Sequence, residues 1–375
     1  MKSKNKTSDR YVIIMAGGRG ERFWPVSRER TPKQLLTLLG DRSFLQQAVD
    51  RVLPLVPPAN IFVITNAVQL PEARRQLPKL PRANLIAEPC GRDTCAAVAL
   101  GAALVGQRST TAVMAVLPAD HVIPEPKRFQ RVLGDAFDLA ARGQVMVTIG
   151  IKPTEPATAY GYIHVGQLLP PPHGAKPYAT TFFKAERFVE KPSYEKAVEF
   201  VNSGVYRWNA GMFVWSFVTI TEGLAKHQPD MAAACERWFN VAGTPRLGKV
   251  LGAEYPELKK VSIDYALMEQ AQNVVVAEGD FTWDDLGSWT ALARHLPSDA
   301  AGNCARAEFI HVDAARNVVF DARTKQRQLI AVVGLRDAII VQTDDATLVA
   351  HKSQAQKVKE LVAHLTASPA HRKLV

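Results

Sequence analysis

Cysteine is scarce: the 375 residues contain four, Cys90, Cys95, Cys235 and Cys304. No CxxC pair and no Cys/His cluster of zinc-like spacing occurs, which excludes a disulfide framework and a zinc module and points to a reducing, cytoplasmic compartment. Long apolar runs are also missing. None reaches the ~20 residues that a bilayer span needs, so no membrane association is expected. The N-terminus, MKSKNKTSDR, lacks the apolar stretch of a secretory leader, and residues 1–10 are expected to form a disordered tail. Acidic residues are outnumbered, 36 against 46 basic, for a net charge of +10. The basic residues are dispersed, with small clusters at Arg19–Lys33 and Arg323–Arg327 and no helix-turn-helix, zinc-finger or RNP signature. That pattern favours small anionic ligands over nucleic acid.

From Tyr11 to Gly150 there is a regular alternation. Continuous apolar runs at YVIIMA (11–16), IFVIT (61–65), NLIAE (84–88), TAVMAVLPAD (111–120) and QVMVTIGI (144–151) suit parallel strands covered on both faces. Helical patterns lie between them at 43–56, 94–106 and 129–143. Together they predict a doubly wound α/β layer, with ligands at the carboxyl ends of its strands. Residues 152–295 carry shorter, more mixed strands at 161–166, 182–192, 211–217 and 273–283, a Pro/Gly-rich loop at 169–177, and helices at 193–204 and 262–272. They read as a continuation of the same sheet with an antiparallel part facing substrate. After LPSDAAGN (296–303), five short strands at 8–12-residue spacing predict a small all-β module, a sandwich or a short left-handed β-helix, closed by a helical tail at 354–365. The expected division is a catalytic domain over 11–295 and a C-terminal β domain over 303–375.

The stretch following the first strand, GGRGERFWPVSRERTPKQ, holds the chemistry. Gly17, Gly18 and Gly20 let the backbone approach a ligand, and successive free N–H groups there form an anion nest. The Walker spacing is absent, and Phe23 stands where the dinucleotide fingerprint needs its third glycine. What remains is a proline-stiffened loop bearing Arg19, Arg22, Arg28, Arg30 and Lys33, suited to a triphosphate whose charge grows during reaction.

This loop resembles the signature of the sugar-phosphate nucleotidyltransferases, and its Trp-Pro-x-Ser and Pro-Lys-Gln form is similar to the mannose-1-phosphate guanylyltransferase branch. EPCGRDT (88–94), LPADH (117–121), AYGYI (159–163), FVEKP (188–192), WNAGMF (208–213), SIDYALME (262–269) and WDDLGSW (283–289) follow in that branch's order. The resemblance covers about residues 11–295 and extends to the C-terminal strands. It implies a Rossmann-like, glycosyltransferase-A-like sheet, mixed but mainly parallel, and a left-handed β-helix for the C-terminal module. It also implies a homodimer and, from the chain length, a single activity: GTP plus mannose 1-phosphate giving GDP-mannose and pyrophosphate with Mg²⁺.

The sugar phosphate is already anionic near neutral pH, since a phosphomonoester's second pKa is ~6, so no general base is required. The protein must align two polyanions and offset their repulsion. Arg22 and Lys33 are the expected catalytic cations. Gly17, Gly18, Arg19, Gly20, Glu88 and Arg92 are expected to hold the nucleotide, with Glu88 accepting from guanine N1–H and N2–H. Gly161, Glu190, Lys191 and Asn209 are expected at the sugar. Asp120, ending a buried strand, and Asp285, chosen over Asp284 by the W-x-D-x-G-x-W register, are the expected Mg²⁺ ligands. His121 reads better as a hydrogen-bonded core residue, and Trp208, Trp215, Trp283 and Trp289 as packing. One departure stands out: Asp93 occupies a position where the branch usually has Asn, and Asp93 or Thr94 is expected to cap the helix starting at Cys95. A silent regulatory subunit is the competing class, disfavoured by the intact set of Arg22, Lys33, Asp120 and Asp285.

Overall fold

Strand β1 (Arg10–Ala16) shows why the first half forms layers. Val12, Ile14 and Ala16 enter one apolar core while Tyr11 and Ile13 enter another on the opposite face, so both faces of the strand are buried. The same logic builds β2 (Ile61–Asn66), β3 (Leu85–Glu88), β4 (Val113–Pro118) and β5 (Met146–Ile151). With β6 (Gly161–Leu168), β7 (Phe182–Glu190), β8 (Tyr206–Ser216) and β9 (Val274–Gly279) they make one nine-stranded sheet in the order β3-β2-β1-β4-β8-β5-β9-β7-β6. The β3-β2-β1-β4 half is parallel throughout. Strand β8 joins it by pairing antiparallel to β4, β5 and β6.

The computed structural model describes residues 9–170 and 177–375. Residues 1–8 of the expected tail, and most of the 169–177 loop, lie outside the described residues. Arg10 corrects the tail's boundary: it opens β1 and pairs with Asp138 at 2.8 Å.

The helix Asp93–Arg108 is buried on nearly every side between the sheet and the helix Pro229–Val241, which explains its Ala/Gly composition. A Cβ at Gly101 would collide with Ile13, and one at Gly106 with Phe217. The expected side-chain cap is not formed. Thr94 Oγ1 instead accepts from the N–H of Ile263, tying the helix start to a distant segment. The helix expected at 262–272 is reduced to a π-helical turn, Asp264–Met268, and β8 begins five residues before its expected start, taking in the whole WNAGMF motif.

The C-terminal strands number six among the described residues: the expected strand RAEFIHVDA contains β11 (Phe309–Val312), and a further short strand, β10 (Cys304–Arg306), precedes it. β12 (Val318–Asp321), β13 (Ile330–Val333) and β14 (Ala338–Gln342) follow, and β15 (Thr347–His351) returns antiparallel to β14. β10, β12 and β14 stack in parallel on one side, with β11 and β13 on another, the arrangement of a β-helix. Its corner is held from inside by buried Asn303 and Asn317, whose amides bond each other at 2.9 Å and the carbonyls of Ala314 and Leu335. A third apolar cluster, with Phe23, Trp24, Leu286 and Trp289 from the first part and Phe320, Ile339, Val358 and Val362 from the second, welds this module to the glycine loop.

Candidate active site

The site lies at the carboxyl ends of the parallel strands, where α/β sheets leave a crevice. β1 delivers Gly17, and its neighbour β4 delivers Asp120 two residues past its end. The glycine loop is held by its carbonyls: Gln34 Nε2 donates to Ala16 O (2.7 Å) and Gly18 O (2.9 Å), Thr65 Oγ1 to Ala16 O (2.9 Å) and Ser27 Oγ to Arg19 O (3.0 Å). No described residue accepts from the N–H groups of Gly18, Arg19 and Gly20. A loop whose acceptors are engaged and whose donors are free is built for an anion. It borders a cavity of about 810 Å³, walled by Gly17, Arg19, Gly20, Arg22, Lys33, Asp120 and Asp285 among others.

Lys33 is the centre of this wall. Its side chain is only 6% exposed, yet its ammonium donates to Asp120 Oδ2 at 2.8 Å and to the carbonyl oxygen of Asp285. Burial works against ionisation of Asp120, but the charge and hydrogen bond of Lys33 lead the groups that outweigh it and hold the carboxyl below the usual range. Asp285 is raised, because burial and the nearby Asp284 and Asp120 charges exceed the attraction of Lys33. Its Oδ1 accepts from the Tyr160 hydroxyl at 3.1 Å. Two backbone hydrogen bonds between Val122 and Asp284, 2.9 and 3.1 Å, fix the 283–289 turn against the Asp120 segment. Asp284 itself points away, into Arg294 (2.8 Å) and His295 (2.9 Å). His121 accepts at Nδ1 from the indole of Trp283 at 3.1 Å, and burial lowers its pKa to about 4, so it stays neutral.

A second cavity, about 330 Å³, shares Gly17, Gly91 and Asp120 with the first and is lined further by Gly18, Gln34, Glu88, Arg92, Asp93 and Thr94. Glu88 ends β3 and is buried, with Oε1 accepting from the Tyr255 hydroxyl and Oε2 crowding Gly17, where a Cβ would sit 2.8 Å away. Desolvation pushes its pKa up to about 7 against the Tyr255 bond. The native state therefore holds a proton here that the unfolded chain, titrating near 4.5, has lost. Stability contributed by this group falls as pH rises from about 4.5 through about 7. We predict a melting temperature that declines over that window, and a visibly flatter profile for Glu88→Gln. Parallel profiles for the two proteins would contradict the assignment.

The four expected sugar residues come together, though none lines either cavity. Gly161 is paired with Glu190 across β6 and β7, and a Cβ there would meet Glu190 Oε2 at 2.5 Å and Asn209 Cβ at 3.5 Å. Lys191 forms an exposed ion pair with Glu190 at 2.6 Å. Asn209, on β8, donates to Asp264 Oδ1 at 2.6 Å. Burial raises the pKa of Asp264, with the Asn209 bond opposing.

The description "Nucleotidyl transferase" matches residues 11–301 of the chain. The chain belongs to the nucleotidyl transferase family. A "MannoseP isomerase/GMP-like beta-helix domain" matches residues 307–365. Among relatives, the xanthan biosynthesis protein XanB of Xanthomonas campestris pv. campestris (strain B100) is 38% identical over 367 residues, covering 96% of this chain and 74% of its own. The mannose-1-phosphate guanylyltransferase of Escherichia coli K12 is 36% identical over 367 residues, with 96% and 74% covered. A crystal structure from Thermus thermophilus, described as mannose-1-phosphate geranyltransferase, superimposes with a TM-score of 0.82 at 35% identity, over 95% of this chain and 99% of that one.

For a nucleotidyl transferase, several participants carry no legible mark in the sequence. Gln34 secures the glycine loop, Tyr160 holds Asp285 and Asp264 holds Asn209, each across at least 16 residues of chain. All three lie inside quoted motifs, and motif membership is the one signal that pointed to them. Asp93, the departure from the expected Asn, adopts φ +64°, a left-handed conformation that Asn and Asp tolerate better than other side chains, and its carboxylate accepts from the N–H of the next residue, Thr94, at 2.8 Å.

Proposed function

We propose that this enzyme transfers GMP from GTP to mannose 1-phosphate. An oxygen of the sugar phosphate forms the new bond to the α-phosphorus, the bond from that phosphorus to the β-phosphate oxygen breaks, and its electron pair leaves with pyrophosphate. No proton needs to move. The reading is carried by one observation: Lys33, Asp120 and Asp285 share one cavity wall with Arg19, Gly20 and Arg22 of the glycine loop. Lys33 is assigned to the α-phosphate as a point charge, Arg22 to the leaving oxygens as a fork, and Gly17 to Gly20 with Arg19 to the β and γ phosphates. Glu88 and Arg92 are assigned to the guanosine end, and Gly161, Glu190, Lys191 and Asn209 to the sugar.

Mg²⁺ belongs to this reading. Asp120 and Asp285 offer two carboxylates on one wall, and Lys33 already holds a cation's place between the two residues. That donor set fits Mg²⁺, which takes few protein carboxylates and fills the rest of its shell with phosphate and water oxygens. Bound there, it would supply neutralisation of phosphate charge.

A homodimer also belongs to it. Ile310, Val312 and Val333, on β11 and β13 of the β-helix, are 58%, 56% and 75% exposed, an apolar strip suited to a second copy. A strictly monomeric species in sedimentation would refute this. A reducing, cytoplasmic setting accords with four free cysteines, and no helix among the described residues is long and apolar enough to cross a membrane. The deciding test is pyrophosphate release across a matrix of NTPs and hexose 1-phosphates. The expected maximum is GTP with mannose 1-phosphate and Mg²⁺. A maximum at another pair would reassign the substrates, and silence throughout would favour a regulatory subunit.

A further inference from the structure

We propose that Lys359, from the C-terminal helix Val358–Ala367, is a phosphate-binding residue of the active site, contacting the β and γ phosphates that depart as pyrophosphate. The residue belongs to no motif, and it lies 326 positions from Lys33 (359 − 33). Yet it lines the same cavity as Arg19, Arg22, Lys33, Asp120 and Asp285.

Its position is set by packing. Val358 and Val362 of the same helix are buried with Phe23 and Trp24, the residues that follow Arg22. The helix packs directly on the turn Glu21–Phe23. Further along the chain, the carbonyl of Leu374 accepts from the Trp24 indole at 2.7 Å and from Arg28, while Arg28 also pairs with Asp345 at 2.6 Å. The glycine loop and the C-terminal segment are thus one packed unit, and Lys359 and Arg22 face one space.

Charge says what fills that space. Of the five cations on the wall, Lys33 is paired with Asp120, and Arg19 lies 3.7 Å from Glu21. The side chains of Arg22, Lys260 and Lys359 have no hydrogen bond or ion pair with any described residue. Unpaired like charges gathered around one cavity repel each other and are relieved by a polyanion of high charge density. Arg19 and Gly20, whose backbone N–H groups have no acceptor among the described residues, line the same cavity. As the α-phosphorus bond to the β-phosphate oxygen breaks, the electron pair passes to that oxygen, and the charge Lys359 would meet increases. The β-helix module therefore contributes a side chain to the reaction as well as a support.

This inference rests on the nucleotidyl transfer proposed above, and the test separates the two. Lys359→Ala and Lys359→Glu are assayed in both directions, with calorimetric titration of inorganic pyrophosphate on each protein. Lys359→Ala is expected to raise KM for GTP and for pyrophosphate about tenfold and weaken pyrophosphate binding alike, the scale of one lost charge-assisted contact. KM for mannose 1-phosphate stays within about twofold, Lys359→Glu shows the larger loss, and Lys359→Arg restores most of it. Melting temperatures equal to the parent's show that folding is untouched. If the parent protein turns over and all three variants bind pyrophosphate as it does, the Lys359 assignment is overturned while the activity stands. If the parent itself is inactive with every substrate pair and titrates no pyrophosphate, the proposed function and this contact fall together.

Discussion

Lys33→Met lowers turnover by about 10²–10³-fold, the loss typical of removing one preorganised donor from a site of developing charge. Methionine is chosen because the lysine stem passes close to the rings of Phe23 and Phe44, with the ammonium 5.9 and 6.0 Å from their centroids. An apolar side chain of similar length keeps that packing and deletes only the charge. Two consequences follow. Asp120 loses the partner that holds its carboxyl low, and Asp285 loses the attraction that limits its rise. The two carboxylates then repel, and their combined titration moves upward. The loss should appear in kcat at saturating GTP more than in KM. Lys33→Arg is not expected to rescue it, since a planar fork does not replace a point charge between Asp120 and the Asp285 carbonyl. A Lys33→Met enzyme within threefold of the parent, with an unchanged melt, would remove Lys33 from the catalytic role.

Gly20→Ala, which deletes no functional group, is expected to cost about 10²-fold in turnover, the effect of a ~1 Å misplacement at a reacting centre. Gly20 sits at φ +61°, where a side chain is strained by about 1–2 kcal/mol. Space is the larger obstacle. The added Cβ would lie 2.6 Å from Lys33 Cβ and 2.7 Å from Lys33 N, so the backbone carrying Lys33 must retreat. Gly18→Ala provides the contrast: its Cβ meets nothing within 4 Å, and that variant should melt as the parent does. Circular dichroism melts of both, read beside kcat, decide the matter. Equal turnover for Gly20→Ala and the parent would mean that the loop yields without moving Lys33.

Much of this was legible before any coordinates. The parallel strands announce themselves because burial on both faces demands an unbroken apolar run, as in VIIMA and VMAVLP. Lys33, Asp120 and Asp285 could be chosen because each lies in a motif that carries the family resemblance, and they do share one cavity wall. Where the reading failed, the cause was tertiary. Strand β8 starts early since pairing with β5 and β6, not composition, keeps residues 206–209 in the sheet, while Gly211, at φ +61°, lies where the register with β5 shifts. The helix expected at 262–272 shrinks because the N–H of Ile263 is claimed by Thr94, 169 residues earlier, and the side chain of Asp264 is drawn to Asn209. β10 was not legible because only three residues, Cys304–Arg306, form it, held extended by pairing with β12. Lys359 could not be found by pattern at all, since a lysine on an amphipathic helix is ordinarily a solvated surface residue.

Strand β8 has a consequence for how such an enzyme diversifies. It separates two territories of one sheet: the parallel strands on the β4 side carry the glycine loop, Glu88 and Asp120, and the strands beyond it carry Gly161 and Glu190. Asn209 lies on the boundary strand itself, and Gly211 rests against Pro118, two residues before Asp120. Under the proposed assignments, donor and acceptor preferences are written on separate pages of the molecule, bound along a single spine. If those assignments hold, changes among β6 and β7 would revise which sugar is accepted while leaving the nucleotide half as it was, with the register of β8 keeping the two in phase.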